Sequence, residues 1–219
     1  MGWRSKDSAS ATPSSNLHLY NWWSEGTHGV AGTGSRARSQ FAMPITTAQS
    51  FNRSLWRATG AQIGRESAAL NNMGEAWSTY WAPVVNLARS PRWGRNLETP
   101  GEDSYLSGQY AVAFIDGLQN SPLDPYHWQA GATCKHFVAN SMENSTEVGV
   151  NWNRHTFDAN VSMQDLVSDY MVPFQACIET AQASGLMCSC ERSSSLRSPP
   201  APAPSPLLSP SHQGGAFVR

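Results

Sequence analysis

The chain has 219 residues, 14% of them charged, and a formal net charge of −1. That length allows one domain with a tail. The near-neutral balance, with no block of like charges, argues against nucleic acid or an anionic membrane as partner. No apolar run reaches the length of a membrane span, and the opening "MGWRSKDSASATPSSN" lacks the apolar centre of a signal peptide.

Residues 1–16 read as a polar, disordered lead, and 17–190 as the folded body. "HLYNWW" reads as a strand followed by Glu25 and His28. "FNRSLWRATGAQIGRESAALNN" predicts a helix, with Asn52 as N-cap and Leu55, Thr59, Ile63 and Leu70 on one face. "TYWAPVVNLA" is a buried strand, and "SYLSGQYAVAFIDGLQ" sets Leu106, Tyr110, Phe114 and Leu118 at helical spacing. "QAGATCKHFVAN" is a further buried strand. "SMQDLVSDYMVPFQACIETAQA" is a helix that Pro173 kinks or breaks, and "GLMCSC" is a last strand. Beyond it, 13 of the 19 residues in "SSSLRSPPAPAPSPLLSPS" are Ser or Pro, so 191–219 is expected to be a disordered tail.

Strands alternating with helices imply βαβ units and a parallel sheet, either a barrel or a doubly wound sheet. No glycine-rich phosphate turn is present, and polar clusters follow the strands, as they do on the active face of a barrel. The expected fold class is therefore α/β, a (β/α)8 TIM-type barrel. The four cysteines have neither CxxC spacing nor a histidine at zinc-finger distance, so they read as structural or incidental thiols. No metal and no cofactor is expected. The sequons at Asn52, Asn144 and Asn160 are about as many as chance supplies and argue nothing about secretion.

The clusters suit a polyol. Glu25 beside Trp22 and Trp23 offers a carboxylate acceptor next to indole faces, which stack on the C–H faces of sugars. Arg89 follows a strand and faces a ligand, whereas Arg92, Arg95, Glu98, Glu102 and Asp103 read as charges stapling a long loop. Lys135 directly after "AGATC" would be costly to bury without a partner, and with His136 it can donate to vicinal hydroxyls. Arg154 is a further donor. A phosphate site is the rival use of these cations, but the carboxylate and the tryptophans suit it poorly.

"YNWWSEGTHGVAG", "FAMPITTAQSFNRSLW", "WAPVVNLARSPRWGRNLETPGED", "YAVAFIDGLQ", "CKHFVAN" and "GLMCS" resemble, in order and spacing, the N-terminal barrel of glycoside hydrolase family 3. The tandem tryptophan before Glu25 resembles its β-xylosidase and α-arabinofuranosidase branch. The resemblance implies a retaining exo-glycosidase acting on β-xylosides such as xylan-derived oligosaccharides, commonly secreted, with a barrel and a following α/β sandwich domain. It implies that Glu25, Arg89, Lys135 and His136 hold the terminal sugar, with Arg154 in "NWNRHTF" joining them.

The resemblance also places the nucleophilic aspartate on a strand some tens of residues past "MCS", and the acid/base in the second domain. This chain turns Ser/Pro-rich after "MCSCE", so no catalytic residue is expected in it, and the barrel is expected to be partial, incomplete on its C-terminal side. The expected outcome is a glycoside hydrolase by descent that is truncated and inactive as an isolated fragment; the alternative is a non-catalytic sugar-binding remnant or a misassembled gene fragment. "VSDY" imitates the family's nucleophile motif, yet its context is the helix before "MCS", so Asp169 reads as a helix-surface residue. Ser90 stands where the family usually has an acid, and "EGTHG" stands for "EALHG".

Overall fold

A computed structural model describes residues 8–9, 20–31, 38–144, 153–190, 192–193 and 216–218. Its centre is a four-stranded sheet in the order Ala216–Val218, Gly185–Cys188, Gly131–Phe137, Thr79–Tyr80. The last three strands run parallel, and Ala216–Val218 pairs antiparallel with Gly185–Met187. The Ser104–Gln119 helix connects the strand Thr79–Tyr80 to Gly131–Phe137. A broken helical segment from Met163 to Thr180 connects Gly131–Phe137 to Gly185–Cys188. These are two βαβ units, so the α/β class stands, and among the described residues the sheet does not close into a barrel.

The two long helices form for the reasons legible in their sequences. Asn52 caps Arg53–Asn72 by accepting from the Leu55 amide, and Asp103 caps Ser104–Gln119 by accepting from the Leu106 amide. The buried face of the first helix is Trp56, Thr59, Ile63, Ser67 and Leu70. Leu55, expected on that face, is 45% exposed, because Trp56 rather than its neighbour turns inward and donates its indole N–H to the Thr47 carbonyl. The helices meet where a glycine on each removes the obstacle. A Cβ on Gly60 would collide with the Phe114 carbonyl oxygen, and one on Gly117 with that of Arg57.

The core between helices and sheet contains Trp56, Ile63, Tyr110, Phe114, Leu118, Ala132 and Phe174. Cys134 on the central strand and Cys177 on the helical segment, both fully buried, form a disulfide across it. Their separation of 43 residues left no spacing signal in the sequence. Cys188 and Cys190 are free thiols.

The 163–180 segment is less regular than a single helix. Leu166–Tyr170 and Ala176–Thr180 are π-helical turns, and the chain breaks at Met171, just before Pro173, where the missing amide costs no hydrogen bond at a new helix start. "HLYNWW" is reduced to Tyr20–Asn21, which pairs antiparallel with Ser8–Ala9 rather than joining the parallel sheet. The expectation of disorder over 1–16 and 191–219 falls mostly outside the described residues. Within those ranges Ser8–Ala9, Arg192–Ser193 and Ala216–Val218 are short strands.

Candidate functional site

The residues after the strands converge on a cavity of about 220 Å³, lined by Glu25, Thr27, His28, Gly29, Ala31, Met43, Arg95, Glu98 and Lys135. They come from the loop after Tyr20–Asn21, the loop after Thr79–Tyr80 and the C-terminal half of Gly131–Phe137. The Trp81 amide donates to the Ser24 carbonyl at 2.9 Å, which ties the segment carrying Glu25 to the sheet.

Lys135 is 3% exposed, and its Nζ donates to Glu25 Oε2 at 2.7 Å. Burial lowers the Lys135 pKa from its ordinary value, and the Glu25 carboxylate offsets this only in part. This is the partner that the buried lysine requires.

His136 follows on the same strand, where strict alternation would send it to the opposite face from Lys135. The pairing with Gly185–Cys188 slips here: Lys135 faces Met187, and the next pair is Phe137 with Cys188. His136 is thus the extra residue of a bulge, a device that re-aims side chains beside functional sites. Asn86, itself buried, fixes the bulge by donating to the His136 carbonyl and accepting from its amide, each at 2.8 Å.

Arg95 stands against the His136 ring. Its guanidinium grips Glu98 with two bonds of 2.9 and 2.7 Å, and its Nη1 lies 3.1 Å from His136 Nε2. The same Nη1 is 3.6 Å from Glu143, whose other oxygen takes Arg154 at 3.4 Å. Burial, then the nearby cations Arg95, Lys135 and Arg154, push the His136 pKa down to about 2, so the ring is neutral.

Of the five residues expected to hold a sugar, Glu25, Lys135 and His136 come together, with Glu25 and Lys135 on the cavity wall and His136 behind Arg95. Arg154 stands beyond Glu143, bound to its carboxylate. Arg89 is not brought to the cavity. It is exposed, bonded to Asp169 at 3.1 Å and stacked 5.1 Å over the Tyr170 ring. Asp169, set aside as a nucleophile from its sequence context, sits half-exposed on a π-helical turn as that partner.

Two expectations need correction. Arg95 and Glu98, read as loop staples, line the cavity, because the turn Asn96–Glu98 folds the loop back over the strand ends. Among the described residues no tryptophan lines it: Trp22 packs edge-on against Tyr20, Trp81 is buried, and Trp93 donates to Glu143 at 3.3 Å. The apolar wall is Met43 and Ala31 instead. Asn86 was missed altogether. The signal available was a polar residue inside the apolar run "WAPVVNLA", which burial obliges to find partners.

No described helix is long and apolar enough to cross a membrane. Comparison with known proteins yields a consistent set. The family model described as the glycosyl hydrolase family 3 N terminal domain matches residues 14–209. Beta-D-xylosidase 3 of Arabidopsis thaliana is 42% identical over 179 residues, covering 78% of this chain and 23% of that protein. Beta-xylosidase/alpha-L-arabinofuranosidase 1 of Medicago sativa subsp. varia is likewise 42% identical over 179 residues, with the same coverage of 78% and 23%. Among solved structures, a GH3 exo-beta-xylosidase (XlnD) in complex with a xylobiose aziridine activity-based probe superposes with a TM-score of 0.72 at 29% identity, over 81% of this chain and 23% of that one. Beta-glucosidase 3B of Thermotoga neapolitana with α-D-glucose superposes with a TM-score of 0.70 at 26% identity, over 85% and 24%. The chain thus spans about a quarter of the length of the relatives it matches. By the extent of the family match and the identity to the two plant xylosidases, the chain belongs to glycosyl hydrolase family 3, in the region of its N-terminal domain.

Proposed function

We propose that the cavity holds the terminal sugar of a β-xyloside, and that this chain supplies the sugar-holding part of an exo-acting, retaining β-xylosidase. The observation that carries the reading is the Glu25–Lys135 pair, acceptor and donor 2.7 Å apart on the cavity wall, with the Arg95–Glu98 pair beside it. Vicinal hydroxyls each donate and accept, so alternating donors and acceptors satisfy them at little desolvation cost. Pockets for drug-sized ligands run to about 300–1,000 Å³, and a cavity of about 220 Å³ suits one sugar ring. The names of the plant relatives favour xylose, and the length of Glu25, which fills space a hexose C6 group needs, favours a pentose.

The sheet would then be an arc of a (β/α)8 barrel, with the cavity at the C-terminal ends of its strands. A secreted, extracellular protein belongs to the same proposal, supported by the Cys134–Cys177 disulfide, since such bonds persist in oxidising compartments. Retaining hydrolysis requires two carboxyl groups about 5–5.5 Å apart, one as nucleophile and one as acid/base. Glu25 and Glu98 are each committed to a cation, so neither is assigned to bond cleavage. That same commitment favours a second reading, sugar binding without hydrolysis.

Calorimetric titration of the chain with xylose tests the pocket: binding lost in Glu25→Ala supports it, and absence of binding by the unaltered chain overturns it. Release of an aryl aglycone from its β-xyloside, above the Glu25→Ala background, decides for hydrolysis over binding alone.

A further inference from the structure

We infer that Arg95 is a positioning residue that fixes where the proton sits on His136, holding the ring as the neutral Nδ1–H tautomer. A guanidinium has five N–H donors and no acceptor. With Arg95 Nη1 at 3.1 Å, Nε2 must therefore present its lone pair, and the proton lies on Nδ1. Nδ1 has an acceptor in place, because Asn86 Oδ1 is 3.1 Å away. The side-chain nitrogen of Asn140 lies 3.1 Å from the same atom, and since an Nδ1–H cannot accept from it, this tautomer requires the Asn140 amide to turn its oxygen to the ring.

The charged neighbours of the ring agree. Lys135 precedes it on its own strand, and Arg95 and Arg154 bear on it from the loops, so a fourth positive charge is disfavoured there. The carboxylates of Glu98 and Glu143 bond Arg95, and Glu143 also bonds Arg154, while Glu25 bonds Lys135. No carboxylate reaches the imidazole itself among the described residues, so nothing recruits a proton to it.

The consequence is a division of labour. Four of the five Arg95 donors face Glu98, His136 and Glu143, which leaves one N–H on Nη2 of a side chain that lines the cavity. His136 donates nothing towards the cavity; it serves as the anvil against which the guanidinium is held. The ligand role of that remaining N–H rests on the proposed sugar pocket, whereas the tautomer does not, so the two fail separately.

The test is a long-range 1H–15N spectrum of the complete chain labelled in histidine, with the His136 signals assigned by their loss in His136→Gln. The expected result is a single Nδ1–H tautomer that does not titrate between pH 7 and 5. In Arg95→Met the Nε2–H form appears; in Arg95→Lys, which keeps a donor and a charge, the Nδ1–H form returns. An Nε2–H signal in the unaltered chain overturns the inference whether or not the variants fold. So does an unchanged Nδ1–H signal in an Arg95→Met chain with native circular dichroism. Xylose titration of the same samples reads the pocket independently: at least a tenfold loss of affinity in Arg95→Met supports the fixed donor. Unchanged affinity removes that role and leaves the tautomer standing.

Discussion

The Glu25–Lys135 pair makes an asymmetric prediction. The lysine side chain is 3% exposed, whereas the glutamate is 30% exposed. Removing Glu25 leaves a buried ammonium without its counter-charge, and breaking a buried pair in that way costs about 3–5 kcal/mol. Removing Lys135 leaves a carboxylate that water already reaches, and Met fills the vacated stem, so Lys135→Met costs about 1–2 kcal/mol, the range of a hydrogen bond lost by a group that can resolvate. The pH dependence separates this from simple damage to packing. Native Lys135 has a lowered pKa, from burial first, so in the alkaline range the unfolded chain binds more protons and this contribution to stability rises with pH. Without Glu25 the depression deepens, so the gap between Glu25→Ala and the unaltered chain should narrow from pH 7 to pH 10. Urea unfolding followed by tryptophan fluorescence at both pH values measures it. A gap that stays constant with pH, or a Lys135→Met cost above that of Glu25→Ala, would refute the reasoning.

His136 carries a pH signature of the same sign, in the acidic range. Its native pKa is pushed down to about 2, against 6.5 unfolded, so below pH 6.5 the unfolded chain binds the extra proton and stability falls as pH falls. At about 1.4 kcal/mol per unit, the chain should lose about 2–3 kcal/mol between pH 6.5 and 4.5, and His136→Gln should lose measurably less in the same denaturation series. The Cys134–Cys177 bond closes a loop of 43 residues' separation, which by loop entropy is worth about 4 kcal/mol; Cys177→Ala should show that loss at equilibrium, and dithiothreitol should then have no further effect. Arg89→Ala removes an exposed ion pair and a stack on the Tyr170 ring at the same surface, so calorimetry should find stability changed by about 1 kcal/mol or less. Xylose affinity should be unchanged too, and a tenfold loss would mean that Arg89 leaves Asp169 when sugar binds.

Helices and caps were legible because they are local. The Ser104–Gln119 helix follows the bounds its periodicity predicts, and Asn52 caps as expected, whereas Asp103, read as a loop staple, caps the second helix instead. The buried face of Arg53–Asn72 was off by one residue at its start, since both Leu55 and Trp56 are apolar and only the fold decides which turns in. The strand-end rule found Glu25 and Lys135, because a charged residue directly after an apolar run has few places to go. It failed for Arg95 and Glu98. Distance along the chain from a strand end is not distance in space, and a loop that folds back brings its middle, not its root, to the cavity. Arg89, at the root, went to Asp169 for the same reason.

The Lys135–His136 step shows what a residue pattern leaves out. Read as adjacent donors, the two residues belong on one side; read as a regular strand, they belong on opposite sides. The bulge reconciles these by inserting His136 as an unpaired residue, and no glycine or proline in "ATCKHFVA" announces it. What holds the bulge is Asn86, 50 residues earlier, through two backbone bonds that no local motif encodes. The two neighbours then take different work. Lys135 reaches the cavity with its charge neutralised by Glu25, and His136 stays neutral behind it as the support for Arg95. A part-buried cluster of three arginine or lysine cations and three glutamates is tolerable because each cation has an assigned anion and the imidazole between them adds no charge. That balance fails first at the group with the fewest alternatives, the buried lysine. Loss of Glu25 should therefore disturb the site more than loss of any other carboxylate around the cavity.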